Sequence, residues 1–156
     1  GGATKVGLAA ALKLNADVVV FLDADGQHDP KYIPEFLGKI KSGADFVIGK
    51  RNLTMYPLWK RFGNFVLRTW ANVVCHIGIK DPECGFRALS ARAARVMDLR
   101  SSGYEICMDC VYNVLRRRLR AAQVEIIVPV YYKKKGAAIK NGFINGWYLL
   151  KRRCLG

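Results

Sequence analysis

Long apolar runs, prolines and acidic residues are scarce in this sequence of 156 residues. Its apolar runs are short, like residues 18–22, whereas a membrane-spanning helix needs roughly 18 apolar residues, so no transmembrane segment is predicted. No secretory leader is visible at the start, and no repeat, heptad or low-complexity tract occurs, which excludes collagen, coiled-coil and solenoid classes. The remaining composition, 51% hydrophobic and 24% charged, is typical of one globular domain.

The cysteines are too few and too irregular for a disulfide framework. There are five of them, at Cys75, Cys84, Cys107, Cys110 and Cys154, and this odd number favours a reduced, cytosolic setting. Cys107 and Cys110 form a single C-x-x-C, which a redox or zinc site could use. No second Cys/His pair lies at zinc-finger spacing and the motif falls within a predicted helix, so we expect ordinary buried thiols.

Acidic residues are outnumbered by basic ones, and unevenly so. The 26 Lys and Arg against 12 Asp and Glu give a formal net charge of +14. From Arg116 onward the only acidic residue is Glu125. This imbalance predicts an anionic partner for the last quarter of the chain, namely nucleic acid, an acidic membrane surface or a phosphorylated substrate.

Short β-branched runs alternate with segments of helical spacing. Strands are predicted at residues 17–22, 45–49 and 124–130, and helices at residues 4–14, 30–42, 58–77, 90–97, 105–121 and 142–155. The alternation predicts an α/β fold with a mostly parallel sheet. Three strands make a thin sheet and the chain opens at Gly1 without a methionine, so we expect the N-terminal strand–helix units of the fold to be missing.

Two carboxylates, Asp23 and Asp25, directly follow the first predicted strand. In open α/β sheets this is the edge where ligands bind. Neighbouring carboxylates repel each other, and a divalent cation such as Mg²⁺ or Mn²⁺ relieves the repulsion while leaving positions for water and substrate phosphates. The pair therefore indicates a metal-held nucleoside diphosphate, with turn and helix-cap carboxylates as the alternative.

Cationic side chains occur in two further segments. Lys50 and Arg51 follow the second predicted strand. If the two strands are neighbours, Arg51 can hold a phosphate in bidentate fashion; the alternative is a solvated strand end. The segment 81–87 is predicted as a loop that is either structural, with Phe86 filling the core, or functional. In the functional case Arg87 binds an anion while Asp81 acts as a base or an orienting group.

Several motifs in register resemble one family. They are Asp-Ala-Asp-Gly-Gln-His-Asp-Pro at 23–30, Val-Ile-Gly-Lys-Arg at 47–51, Cys-Gly-Phe-Arg-Ala-Leu-Ser at 84–90, Gly-Tyr-Glu-Ile at 103–106 and Val-Pro-Val at 128–130. Together with the opening segment 2–8, they resemble family 2 glycosyltransferases of the dolichol-phosphate mannose synthase and polyprenyl-phosphate glycosyltransferase type.

This resemblance implies a GT-A fold and a metal-dependent transfer of sugar from a GDP- or UDP-sugar to a polyprenyl phosphate at the cytoplasmic membrane face. By matching position, Asp23 and Asp25 would bind Mg²⁺ or Mn²⁺ and the donor diphosphate, with Gln27 beside them. Arg51 would contact a donor phosphate. Residues 1–141 would form a partial catalytic domain.

The resemblance also implies an acceptor side formed by Arg87, Glu105, Lys133, Lys135 and Lys140, with the basic loop 133–140 closing over the site. The residues expected to carry catalysis are Asp25, Arg51, Asp81 and Arg87. A phosphate acceptor is already an anionic nucleophile, so the transfer needs positioning and charge stabilisation more than a strong base. Glu105 and Asp109 lie one helical turn apart and could share a face toward the site, or form a solvated helix face.

The C-terminal segment 142–156 is predicted to form an amphipathic helix. Its apolar and basic residues are Phe143, Ile144, Trp147, Leu149, Leu150, Lys151, Arg152 and Arg153. This pattern fits a helix lying on an anionic leaflet, or a terminal helix packed on the core with a basic end.

Three alternatives stay open at this point. A family 2 enzyme could transfer to a saccharide, in which case Asp81 would act as the base. The chain could be a basic, non-catalytic binding fragment. A nucleic-acid-binding module is supported by charge alone, without a recognisable motif, so nucleic acid is not an expected partner.

Overall fold

The structure is a computed structural model that describes residues 1–52, 58–75, 78–128 and 138–155. Its helices are α1 (Gly2–Lys13), α2 (Ile33–Lys41), α3 (Leu58–Cys75), α4 (Ala91–Val96), α5 (Ile106–Arg116) and α6 (Ala138–Leu155), and a short 3-10 helix (Pro30–Tyr32) precedes α2. Its strands are β1 (Val18–Phe21), β2 (Phe46–Arg51), β3 (Arg87–Ser90) and β4 (Ala121–Ile126). None of the helices in these ranges combines the length and the apolar character needed to cross a bilayer.

The four strands form one sheet in the order β1-β3-β2-β4. Strand β3 is antiparallel to both β1 and β2, and β4 pairs parallel to β2. Strands β1, β2 and β4 therefore run in one direction and end at the same edge, where β3 begins. Arg87, the first residue of β3, pairs with Phe21 of β1 and Ile48 of β2, which places it at that edge.

The sheet differs from one expectation drawn from the sequence, and it does not meet the condition that the first two predicted strands are neighbours. It is mixed rather than mostly parallel, and β1 and β2 are not neighbours because β3 lies between them. In the predicted elements, Arg87 ends a loop and Ser90 begins a helix, and residues 88–89 belong to neither. The strand formed by residues 87–90 is only four residues long and its first three residues are buried, so it has no period-2 alternation of apolar and polar side chains by which it could be recognised.

Several element boundaries also differ from the predicted ones. Helix α5 ends at Arg116 because Arg118 takes a positive φ of 50° and turns the chain toward β4. Strand β4 consequently begins three residues earlier than predicted and ends at Ile126, while Pro129 and Val130 lie outside the described residues. Helix α6 begins at Ala138, four residues before the predicted start.

The core lies between the sheet and the helices that flank it. Phe46, Val47 and Ile48 of β2 are fully buried, as expected for a central strand. Phe36 of α2 stacks on Phe86, with ring centroids 4.3 Å apart. Offset aromatic pairs of this kind contribute roughly 0.5–1.5 kcal/mol beyond the area they bury. They fix the start of β3 against α2, so Phe86 fills the core as one of the two interpretations of its loop expected.

A buried ion pair attaches α6 to the rest of the protein. The Nε and Nη2 atoms of Arg152 lie 3.1 Å and 3.0 Å from Oδ1 of Asp109 in α5. The other carboxylate oxygen of Asp109 accepts from the main-chain N–H groups of Arg100 and Ser101. Arg152 is 6% exposed and Asp109 is fully buried. Arg152 is therefore not part of an exposed basic face, and Asp109 is structural.

Candidate active site

The loop after β1 presents two carboxylates at the edge of the sheet. Asp23 and Asp25 are both exposed. Gly26 continues the turn with a positive φ of 80°, a conformation that glycine adopts without strain. The main-chain N–H of Gln27 donates to Oδ1 of Asp25 at 3.0 Å, which fixes one of the Asp25 oxygens within the turn. Asp29 then caps the 3-10 helix that leads into α2.

The Asp23 carboxylate lies directly against Gly85. A Cβ atom built at position 85 would overlap the carboxylate group of Asp23. Position 85 must therefore lack a side chain if Asp23 is to keep this place. The contact brings the loop after β1 and the segment 81–87 together, although the two acids lie 60 to 64 positions from Gly85 and Arg87 in the sequence.

Arg51 and Asp81 form a bidentate ion pair at the same edge. Arg51 donates from Nε to Asp81 Oδ2 at 2.6 Å and from Nη2 to Oδ1 at 2.8 Å, and its main-chain N–H also donates to Oδ2. Asp81 is 1% exposed. Both carboxylate oxygens of Asp81 are thus occupied, and the Arg51 guanidinium is held in one orientation.

Arg87 supplies a buried cation to an adjoining cavity. The residue is 4% exposed, and its Nε and Nη2 atoms donate to no acceptor among the described residues. The cavity has a volume of about 700 Å³ and is lined by Arg87 together with Asp23, Gly85, Glu83 and Cys107. A guanidinium stays protonated at physiological pH, and buried donors without partners are costly. This arrangement suits an anionic ligand.

His28 lies beneath the acidic loop. Its ring is 5.4 Å from that of Phe86, and its Nδ1 accepts the main-chain N–H of Asp23 at 3.0 Å. Burial lowers the pKa of His28 from its ordinary value, and this effect outweighs the nearby Asp23 carboxylate, which raises the pKa. His28 is therefore neutral at physiological pH.

The two carboxylates at this edge fit a divalent ion that takes most of its ligands from substrate phosphates and water. Within the described ranges, no group of three or more His, Cys, Asp or Glu side chains is arranged to hold a metal. Asp23 and Asp25 are accessible carboxylates, and the missing side chain at Gly85 leaves room for one of them. Mg²⁺ in particular is commonly bound through one or two carboxylates plus substrate phosphates and water.

The other residues predicted for the site lie in different places. Gln27 is half-buried beside Asp25. Glu105 faces Ser101, whose hydroxyl donates to it at 3.1 Å. Lys133 and Lys135 lie outside the described residues, and Lys140 belongs to α6 but its side chain is not among those described.

The C-x-x-C motif forms no disulfide or metal cluster in the described part of the chain. Cys84, Cys107, Cys110 and Cys154 are free. Of the two motif cysteines, Cys110 is buried as predicted, whereas Cys107 is only half-buried. Cys84 is also buried, and Cys154 is exposed. Burial raises the pKa of the Cys84 thiol to about 11, so this thiol keeps its proton.

Sequence reasoning missed two residues of this site, His28 and Gly85. Both stand within the motifs named above. Gly85 gains its role from Asp23, 62 residues earlier, whereas His28 contacts Asp23, only five residues earlier, as well as the distant Cys84. The sequence signal that could have identified Gly85 is its position next to Phe86, a predicted core residue, in the candidate functional segment 81–87.

Comparison with known families places the chain among glycosyltransferases. Residues 2–96 match the family described as Glycosyl transferase family 2. The chain is 32% identical over 153 residues to the UDP-N-acetylglucosamine–dolichyl-phosphate N-acetylglucosaminyltransferase of Methanococcus voltae, covering 92% of this chain and 61% of that protein. It is 29% identical over 154 residues to the undecaprenyl-phosphate mannosyltransferase of Micrococcus luteus, covering 94% and 62%. The chain thus spans about three-fifths of the length of these relatives.

Solved structures agree on the fold. Glucosyl-3-phosphoglycerate synthase from Mycobacterium tuberculosis, in complex with phosphoglyceric acid, superposes with a TM-score of 0.72 at 20% identity, covering 99% of this chain and 55% of that one. The same enzyme in complex with Mn²⁺ and UDP-glucose gives a TM-score of 0.68 at 18% identity, covering 94% and 52%. These likenesses confirm a GT-A-like α/β fold.

Proposed function

This chain belongs to glycosyltransferase family 2, and from that premise we propose that it carries the metal- and phosphate-binding part of an enzyme that transfers a sugar from a GDP- or UDP-sugar to a polyprenyl phosphate. The observation that carries the proposal is that Asp23, Arg51 and Arg87 all lie at the same edge of the sheet, where β1 and β2 end and β3 begins. Two accessible carboxylates and two arginines within one loop cluster suit a reaction between two phosphate-bearing substrates.

The acidic pair is proposed to serve the donor. Asp23 and Asp25 would hold Mg²⁺ or Mn²⁺, and an ion bound there would neutralise charge on the departing nucleoside diphosphate. Gln27 would stand beside them, since its main chain already restrains Asp25. Arg51 would face the diphosphate in the single orientation that its bidentate contact with Asp81 allows.

Arg87 is proposed to receive the acceptor phosphate. Its Nε and Nη2 atoms, which have no described partners, would donate to a phosphate oxygen and orient it. The phosphate would also remove the energetic cost of leaving these two buried donors unpaired. The outer part of the acceptor side is proposed to consist of Glu105, Lys133, Lys135 and Lys140. The names of the relatives from Methanococcus voltae and Micrococcus luteus include dolichyl phosphate and undecaprenyl phosphate, which supports this class of acceptor.

The state of Asp81 favours a phosphate acceptor over a saccharide. A sugar hydroxyl needs a base to take its proton. Both oxygens of Asp81 accept hydrogen bonds from Arg51, and the residue is buried, so it is poorly placed to act as that base. A phosphate is already anionic and needs none. We therefore assign Asp81 the role of orienting Arg51.

A transfer assay with labelled UDP- and GDP-sugars tests the proposed function. With Mn²⁺ present, we expect label to enter the organic phase with a polyprenyl phosphate and to stay absent from a free saccharide acceptor. Arg87→Lys should keep the charge but lose the fork of donors, lowering transfer by about 10-fold or more, as expected for a lost charged hydrogen bond. Transfer to a free saccharide and not to a polyprenyl phosphate would overturn the proposal.

The proposed partner for the outer surface is the cytoplasmic face of an anionic bilayer. Exposed apolar residues follow one another along α3 at helical spacing, namely Leu58, Phe62, Phe65, Val66, Trp70 and Val73. Trp70 donates from Nε1 to the carbonyl of Gly146 in α6 at 3.1 Å, and the next residue, Trp147, is 71% exposed. Exposed Lys151 and Arg153 follow on α6, so apolar and basic side chains occur together as on interfacial helices.

Replacing Trp147 by Glu is expected to weaken binding to anionic vesicles by about 10-fold or more, because burying a large apolar side chain contributes roughly 1.5–3 kcal/mol. Val6→Glu is the matched control, since Val6 on α1 has the same exposed fraction of 71%. Sedimentation with phosphatidylglycerol vesicles measures both. Equal losses, or no loss for Trp147→Glu, would contradict a membrane role for this face.

A further inference from the structure

His28 is held in a fixed orientation beneath the acidic loop. It is 7% exposed, its ring lies against Phe86, and Phe86 stacks in turn on Phe36 of α2. Close packing of this kind leaves little room for the imidazole to rotate. Its two nitrogens therefore face constant partners.

The hydrogen bonds around the ring agree with one tautomer. Because the Asp23 N–H donates to Nδ1, that nitrogen carries the lone pair and the ring proton is on Nε2. Nε2 faces the sulfur of Cys84 at 4.0 Å, and this thiol in turn donates to the carbonyl of Phe86 at 3.9 Å. The ring thus accepts at Nδ1 and carries its proton at Nε2, toward Cys84. The buried Cys84 thiol keeps the proton that it donates to the Phe86 carbonyl.

This series ties the main chain of Asp23 to the centre of the sheet. The Phe86 carbonyl at its far end also accepts the N–H of Gly49 in β2, at 2.9 Å. At the near end of the series, the main-chain N–H of Asp23 is held by His28, and the carboxylate of Asp23 lies over Gly85. The exposed loop after β1 thus has an internal anchor, although its acidic side chains face solvent.

We propose that His28 is a positioning residue for divalent-ion binding, and that its unprotonated Nδ1 holds the Asp23 main chain so that the Asp23 carboxylate stays over Gly85. This inference rests on the proposed function, because it takes Asp23 and Asp25 as the groups that hold the ion. His28 itself does not ligate the ion, since its Nδ1 is occupied by the main chain and its Nε2 faces Cys84.

Two substitutions separate the hydrogen bond from the ring. In His28→Asn the side-chain oxygen stands as many bonds from Cβ as Nδ1 does, so it can accept the Asp23 N–H. In His28→Gln the oxygen stands where Nε2 was, one bond too far. Both variants remove the ring from against Phe86, and Gln, which is one methylene longer than Asn, leaves the smaller cavity, so a greater loss in His28→Gln is not due to lost volume.

Mn²⁺ titration of the 156-residue chain, followed by the electron paramagnetic resonance signal of free Mn²⁺, measures the effect. We expect His28→Asn to bind within about threefold of the wild type and His28→Gln to bind about 10-fold or more weakly, the range expected for residues that position ligands. Equal affinity of both variants, whether retained or lost, would overturn the positioning role.

The metal-free wild type supplies a second readout that needs no variant. Long-range ¹H–¹⁵N spectra of the His28 ring are expected to show the proton on Nε2 and a bare Nδ1. A proton on Nδ1 would overturn the inference even if neither variant folds. Asp25→Asn, titrated in parallel, distinguishes failure of the proposed metal site from failure of the proposed role of His28. If it binds Mn²⁺ as the wild type does, the metal site itself fails, whereas a loss there with His28→Gln unaffected removes only the role of His28.

Discussion

Asp25→Asn is expected to lower Mn²⁺-dependent binding of a nucleoside diphosphate by at least about 100-fold. The asparagine oxygen can still accept the Gln27 N–H that shapes the turn, so the loop is retained while a charge is removed. Loss of a residue that only positions ligands costs about 10–100-fold in metal affinity, and loss of a carboxylate ligand should cost at least the upper end of that range. Calorimetric titration of UDP and GDP, with and without Mn²⁺, measures the change.

Asp29→Asn is the matched control for this experiment. Asp29 stands in the same loop, but it caps the 3-10 helix through the Lys31 N–H, a role that asparagine also performs. Metal-dependent binding should therefore be unchanged in Asp29→Asn. If both variants lose binding alike, the effect belongs to the loop as a whole and not to the acidic pair.

Asp81→Asn is expected to lower the free energy of unfolding by about 3–5 kcal/mol, the cost of removing one partner from a buried ion pair. The Arg51 guanidinium, whose side chain is only 20% exposed, would be left without its bidentate acceptor. Urea denaturation measures the loss. The double variant Asp81→Leu with Arg51→Met should recover much of the stability, because apolar residues of similar volume often replace buried ion pairs without loss.

Glu125→Gln provides the comparison for Asp81. Glu125 pairs with Lys50 at 3.2 Å, next to Arg51 in the chain, but the Glu125 side chain is 62% exposed. Surface pairs contribute about 0–1 kcal/mol, so little change is expected. A loss below about 1 kcal/mol for Asp81→Asn as well would show that the pair with Arg51 does not hold this edge together.

The sequence was sufficient for the parts of the fold that have strong local signals. Strands β1 and β2, the acids that follow β1 and the helical segment starting at Pro30 could be predicted because each has its own pattern of apolar, acidic or cap residues. The predicted burial is correct for β2 but wrong for β1, which lies at the edge of the sheet and has one buried residue, Val19. The segment 81–87 was recognised as a candidate, although without a decision between structure and function. In the structure it does both, with Phe86 in the core and Arg87 at the cavity.

What could not be predicted depends on contacts between distant residues. Strand β3 is short and buried, so only its pairing with β1 and β2 defines it. Arg152 stands within a basic run that was interpreted as an exposed face, but it is paired with Asp109, 43 residues earlier. Gly85 likewise acquires its role from Asp23, in a loop 62 residues earlier, and Nε2 of His28 faces Cys84, 56 residues later.

The central claim is that Asp23 and Asp25 together hold a divalent ion at the sheet edge. Anomalous diffraction at the manganese edge, from crystals of this chain grown with Mn²⁺ and UDP or GDP, tests it most directly. One anomalous peak is expected, in contact with carboxylate oxygens of both residues and with the diphosphate. Ordered nucleotide with no manganese peak at these two side chains, or with a peak elsewhere, would contradict it.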